Sequence, residues 1–301
     1  MSAENAYQLF KFHSVHPTAD AWKQFESLFA LTPLRMADNV GEIESFSWIA
    51  GTCVFAQVAM DGNAHEHTEK HIERSGDLLF VHRFLTGGSD GRSGDVPFTL
   101  RPGMIIFHDY SRPYEGIQPP STLQSVHIPH DLVGYDSKTM PPHIILDVQS
   151  PHGAAINAAF DAMMPDFLAG RDELEKVRLE HLMDLVRAAL PRPNEDASIA
   201  MQVQAFVEKR LGDQMLTIED AQDAFQLSRA QIFEILGLFG GFDAYLASRR
   251  TFCALFDLYK HRSTERSLED VAAQYGFGSV DAFNQAVSMR CGTDLQKIFA
   301  V

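Results

Sequence analysis

Two stretches in the last third of the chain, LTIEDAQDAFQLSRAQIFEIL and RSLEDVAAQYGFGSVDAFNQAV, align on each other. Thr217-Ile218-Glu219-Asp220 matches Ser267-Leu268-Glu269-Asp270, and Ser228 matches Ser279. The apolar trio Ile232, Ile235 and Leu236 matches Phe283, Ala286 and Val287. A duplication restricts the fold more than any compositional figure, because one supersecondary unit must be built twice. In each copy a Ser or Thr cap opens a short helix, a tight turn follows at Gln226-Leu227 or Gly276-Phe277-Gly278, and a second capped helix comes next. That is the helix-turn-helix pattern, expected over 217–238 and 267–290. Between the copies, Tyr245, Phe252 and Phe256 predict one long helix from about Asp243 to His261.

The first 150 residues have another period. SFSWIAG, TCVFAQVAM, DLLFVHRFL, VPFTL, MIIFHD and TLQSVHI are short, rich in β-branched and aromatic residues, and divided by GGSDGRSGD, RPG and GIQPPS. Pro102 and Gly103 suit the centre of a type II turn, so LRPGM predicts a hairpin. Six or more such strands favour a small barrel or sandwich. From His152 the pattern turns helical. Ile156, Ala159, Phe160, Met163, Met164, Phe167 and Leu168 form one apolar stripe, and Leu174, Val177, Leu182, Leu185 and Val186 form a second. These helices either cap the β-domain or pair with the same helices of a second chain. PRPNEDAS, residues 191–198, reads as a linker.

With these patterns in place, the chain resembles the AraC/XylS-type transcriptional regulators. The carrying residues are LTIEDAQDAFQLSRAQIF, the GGFDAYLASRR entry to the long helix, and SLEDVAAQYGFGSVDAFNQAVSMRCGTDLQKIF, spanning roughly residues 198–299. Upstream, EKHIERS, LRPGMIIFHDYSRPYE and HIPHDLVG look like the cupin-like sensor domain of one branch of that family. The resemblance implies an α+β multidomain chain: a cupin-like, effector-sensing β-barrel over 1–150, a helical dimerisation or capping segment over 151–190, the linker, and an all-α tandem helix-turn-helix domain over 199–301. It further implies double-stranded DNA, a small-molecule effector and a second copy of the chain as partners, with no cofactor. Two reading helices would enter successive major grooves roughly 34 Å apart.

By that resemblance DNA is read through Arg229, Ala230, Phe233 and Glu234 on the first helix, and through Val280, Asp281, Asn284 and Gln285 on the second. Arg229, Asn284 and Gln285 suit base-edge chemistry, whereas Glu234 and Asp281 suit only the amino group of cytosine. Arg249, Arg250, Arg290 and Lys297 are the candidate phosphate contacts. The charge balance runs against them: the chain carries −15 overall, and residues 195–301 hold 10 basic against 15 acidic residues. Phosphate neutralisation supplies most non-specific affinity. Two outcomes follow: a regulator of narrow specificity whose affinity depends on pairing of chains, or a degenerate one that has lost most DNA binding and acts as a sensor or protein-interaction module.

A third reading is chemical. His65, His67 and His71 in GNAHEHTEKHIE approach the histidine step of metal-dependent cupin enzymes. The spacing to Glu69 or Glu73 is irregular, which favours histidines held by ordinary hydrogen bonds and a chain that is not an enzyme. No nucleophile elbow, P-loop or dinucleotide glycine pattern occurs in the sequence. An effector would find aromatic lining at Trp48, Phe55, Phe80, Phe107 and Tyr110. Cys53, Cys253 and Cys291 lie far apart, which predicts reduced thiols. The longest apolar stretch, Trp48 to Met60, is short and interrupted, and MSAENAYQLF lacks the order of a signal peptide, so a cytoplasmic protein without membrane partners is expected.

Overall fold

A computed structural model describes residues 6–17, 30–33, 41–191, 199–261, 266–292 and 294–298. The linker expected over 191–198 lies outside the described residues apart from Pro191. The β-rich part contains strands β1 (Ala6–Gln8), β2 (Phe10–Pro17), β3 (Ala30–Pro33), β4 (Glu42–Ala50), β5 (Cys53–Met60) and β6 (Asn63–His67), then helix α1 (Glu69–Ser75). It continues with β7 (Leu78–Thr86), β8 (Ser89–Ser93), β9 (Val96–Leu100), β10 (Met104–Asp109), β11 (Tyr114–Gln118), β12 (Ser121–Pro129), helix α2 (His130–Val133) and β13 (His143–Asp147). Two long helices follow, α3 (Pro151–Leu168) and α4 (Lys176–Ala189), with β14 (Glu173–Glu175) between them.

The six predicted strand segments fall on β4, β5, β7, β9, β10 and β12. The fold is α+β as expected, but its strands form no closed barrel among the described residues. A seven-stranded sheet runs β13-β10-β7-β12-β5-β4-β2, a five-stranded sheet runs β3-β6-β11-β8-β9, and β1 pairs with β14. The turn at Arg101-Pro102-Gly103 forms, with Met104 N–H donating to Arg101 O at 3.2 Å and Gly103 at φ +94°. It is not a hairpin. Strand β9 belongs to the smaller sheet and β10 to the larger, so the turn carries the chain from one layer to the other.

Alternation along the strands sorts side chains between two faces. Leu79 and Val81 on β7, Ile105 and Phe107 on β10, and Val126 and Ile128 on β12 face helices α3 and α4. The stripes Ile156, Phe160, Met163, Met164 and Phe167, and Leu179, Leu182 and Val186, join that same core. Each such side chain contributes about 1.5–3 kcal/mol by leaving water. Arg83 fastens the layer: it donates to Gln124 Oε1 at 2.7 Å and to Asp161 Oδ1 of α3 at 2.6 Å. These stripe residues are covered by this chain's own sheet, whereas Leu168 and Val177 of the predicted stripes are exposed.

The helical part comprises α5 (Ile199–Lys209), α6 (Ile218–Phe225), α7 (Arg229–Leu236), α8 (Phe242–Lys260), α9 (Leu268–Gln274), α10 (Val280–Cys291) and α11 (Leu295–Ile298). The duplication is built as its sequence dictates. Ser228 and Gln231 form a capping box, as do Thr217 and Asp220, while Ser267 and Ser279 accept from the amides of Asp270 and Ala282. Ile232 and Leu236 pack with Val203, Val207 and Tyr245, and Phe283 and Val287 pack with Phe252, Leu255 and Val271. The long helix α8 joins both cores. No described helix is long and apolar enough to cross a membrane.

Candidate nucleic-acid interface and buried cavity

Capping sets the entry angle of α7, and burial of Ile232 and Leu236 turns Arg229, Ala230, Phe233 and Glu234 outward, all four exposed. Arg229 donates to Glu219 Oε1 of α6 at 3.2 Å, an exposed pair worth little in water. On α10, Asp281 and Gln285 are exposed, and Met289 joins them. The other two expected readers are placed differently. Val280 is half-buried against the second core, and Asn284 Oδ1 accepts from the backbone N–H of Leu295 at 2.8 Å, anchoring α11. One lone pair of its amide oxygen is thus tied to the start of α11.

Three of the four expected phosphate contacts are spent inside the molecule. Arg249 is fully buried, at 0% exposure. Its guanidinium donates to Glu208 Oε1 at 2.6 Å, to the carbonyl of Gly91 at 2.7 Å and to that of Phe98 at 3.0 Å. Burial disfavours its charge, but Glu208 outweighs this and raises its pKa. Arg250 donates to the carbonyls of Leu211 and Asp213, and Arg290 pairs with Asp90 of β8. Lys297, the fourth, stays open beside Asp294. The reasons are geometric: α8 lies along the five-stranded sheet, which brings Arg249 to carbonyls of β8 and β9; Arg250 turns to carbonyls that follow α5; and Arg290 reaches β8 from α10.

Asp90 is the centre of this contact. Its carboxylate accepts from Thr99 Oγ1 and Ser248 Oγ, each at 2.8 Å, and from Arg101 at 3.3 Å, besides pairing with Arg290. Burial pushes the carboxyl up, but Arg290 and Arg101 together hold it at about 2. Further along, Glu115 of β11 pairs with Lys260 of α8 and with Arg92, both at 2.5 Å. Among the described residues, every arginine of the helical part bonds to a carboxylate or a backbone carbonyl.

The five-stranded sheet is thus a wall with two uses. Asp90, Arg92, Thr99, Glu115 and Ile117 face the helices, while Ser89, Phe98, Leu100, Tyr114 and Gln118 alternate with them and face a cavity between the sheets. That cavity, about 50 Å³, is lined on the other side by Met60, Phe80, His82, Phe84, His108, Tyr110 and Leu123, and by Asn63 and His65 of β6. Of the aromatic residues expected to line an effector site, Phe80 and Tyr110 do so. Trp48, Phe55 and Phe107 do not: they point from the opposite face of the seven-stranded sheet into the core under α3, where Phe167 packs on Trp48 and Phe55. The effector expectation did not include His82 or His108, whose signal was a histidine repeating the parity of Phe80 and Ile106.

The histidines considered as metal ligands are otherwise engaged. His67 Nε2 donates to the carbonyl of Tyr110 at 2.9 Å, and His71 Nδ1 accepts from Thr68 N–H at 3.0 Å and Thr68 Oγ1 at 2.8 Å. His65 lies 3.3 Å from Asn63 Oδ1. No group of three or more His, Cys, Asp or Glu side chains able to hold a metal ion occurs among the described residues.

The described residues thus form a β-domain resting on a tandem helix-turn-helix domain. The AraC-like transcriptional activator CuxR shares this fold at a TM-score of 0.52, with 17% identity over 83% of this chain and 95% of that one. ToxT from Vibrio cholerae is also similar, at 11% identity over 83% of this chain and 97% of that one, but the superposition is looser, with a TM-score of 0.34. No protein-family model and no curated protein sequence matches the chain.

Proposed function

We propose that the protein is a DNA-binding transcriptional regulator controlled by a small molecule held in the β-domain cavity. The observation that carries this reading is the two-faced wall, which sets the cavity against one side of a sheet and the linker helix of the reading domain against the other. In the arrangement described, Arg249 and Arg290 are withheld from DNA, so phosphate contact through them requires the wall to part from α8 and α10. Asp90→Asn is then expected to strengthen DNA binding by about tenfold at low salt, because it frees Arg290. An unchanged affinity in a folded variant would remove Asp90 from the control of binding.

Arg229, Ala230, Phe233 and Glu234 of α7 and Asp281 and Gln285 of α10 remain outward in the same arrangement, and the acids among them limit affinity. Glu234→Arg should strengthen binding about tenfold across unrelated sequences if α7 lies in the groove, and should do nothing if it never enters one. The wild-type chain should retard a fragment from its own upstream region at about 50 mM salt with a shallow salt dependence, since few cations are free. Pairing of two chains on neighbouring half-sites would multiply such weak contacts. The second reading, a sensor or interaction module that has lost DNA binding, is favoured by the neutralised arginines. It prevails if folded protein gives no retardation under those conditions, with or without Asp90→Asn.

A further inference from the structure

The cavity is lined by bases and contains no acid. His65 on β6, His82 on β7 and His108 on β10 reach it, with the phenols of Tyr110 and Tyr114, and no Asp, Glu, Lys or Arg contributes to its lining. Further imidazoles stand behind these: His143 of β13 lies 5.8 Å from His108 by ring centroids, and His127 of β12 lies 4.5 Å from Phe80. His108 is 2% exposed, and neither of its ring nitrogens has a hydrogen-bond partner in the chain. Nδ1 of His82, a ring 4% exposed, has none either, and the two rings are 5.6 Å apart. A buried polar atom left without a partner keeps the full cost of its desolvation, so a ligand that satisfies these nitrogens recovers it.

We propose that the cavity binds a carboxylic acid of two to four carbons, its carboxyl group held between His82 and His108. Each neutral imidazole offers one N–H and one lone pair. A carboxyl group supplies the complement, accepting from one ring and donating its proton to the other. The walls of Phe80, Phe84, Phe98 and Leu123 take the short alkyl tail. Size sets the chain length, since a cavity of about 50 Å³ holds only a few non-hydrogen atoms. A bare carboxylate would leave an uncompensated charge in this lining. Binding therefore carries in one proton from solvent for each carboxylate, whether it rests on the acid oxygen or on an imidazole. Burial and mutual repulsion keep the rings themselves neutral at pH 7: His82 titrates at about 3, and His65, His127 and His143 at about 4. Arg249, across the wall on α8, further disfavours a charge on His143. Tyr110 and Tyr114, hydrogen-bonded to each other at 3.1 Å, stay protonated.

This inference rests on the effector reading, but its test uses the full chain without DNA, so the two can fail separately. Acetate, propionate and butyrate are titrated calorimetrically at pH 6 to 8 in two buffers of different ionisation heat. The expected result is uptake of about one proton and a Kd that weakens about tenfold per pH unit. His108→Gln and His82→Gln, each checked for folding by near-UV circular dichroism, should weaken binding at least about tenfold. Acetamide or propanol binding as tightly as the acids, affinity that does not change with pH, or no acid binding at millimolar concentrations would each overturn the proposal. So would a folded His108→Gln variant that binds the acids as well as the parent.

Discussion

Acidification from pH 7 should unfold the β-domain between about pH 6 and pH 4, seen as loss of near-UV circular dichroism. His65, His127 and His143 titrate at about 4 and His82 at about 3 in the folded chain, all because burial disfavours the charged ring. Their folded-state pKa values are depressed below the ordinary value of about 6.5, so the unfolded chain binds more protons in this window. The stability linked to each is fully present above pH 6.5 and is lost as pH falls toward its folded value. The slope approaches about 1.4 kcal/mol per pH unit for each ring. Four rings acting together exhaust a folding stability on the order of 10 kcal/mol before pH 4. Asp90 works in a lower window, because its carboxyl at about 2 keeps its contribution until pH falls below the ordinary carboxylate range. A domain that stays folded at pH 4 would show that the rings do not titrate as their burial requires. An uptake of acid ligand should move the transition to lower pH.

Arg249→Ala is expected to destabilise the chain by about 3–5 kcal/mol, measured by urea denaturation, because it leaves Glu208 and the carbonyls of Gly91 and Phe98 without their donor. A surface arginine kept for phosphate would cost less than about 0.5 kcal/mol on removal. Lys297→Ala provides that comparison, since its side chain is 70% exposed beside Asp294. Arg249→Met, which restores apolar volume but no donors, should recover only part of the loss. Equal, small effects at 249 and 297 would mean that α8 does not rest on the sheet in solution.

The parts legible in the sequence were those fixed by local chemistry. Ser228, Ser267 and Ser279 cap because a short hydroxyl side chain can reach the third amide of a helix, and the matched apolar trios place the second helix of each copy. Gln226 turns in the left-handed region at φ 53°, as its place in a two-residue turn requires, and donates to Asp223 O. What could not be read was which surface meets which. Strand β8 reads as a turn, SDGRS, because Ser, Asp and Gly disfavour strands. Yet Gly91 belongs there: a Cβ at that position would lie 2.1 Å from the ring of Phe98 and 2.3 Å from Glu115 O. Likewise Phe107 and Phe80 are equally aromatic, and both faces of the larger sheet are buried. Parity separates them but cannot say which face holds a cavity. The fate of Arg249 and Arg290 depended on the same missing knowledge, since charges in a linear sequence carry no partner.

The hairpin of β8 and β9 is a partition one backbone thick. Ser89 and Phe98 touch the cavity, and their immediate neighbours Asp90 and Thr99, with the carbonyl of Phe98 itself, hold the helices. Under the proposed function, a signal crossing it would travel no farther than from one residue to the next, and the same few peptide groups would serve both cavity and helices. Such a partition ties its two faces together: a change of side chain on one side of residues 89–99 shifts the peptide groups that the other side uses.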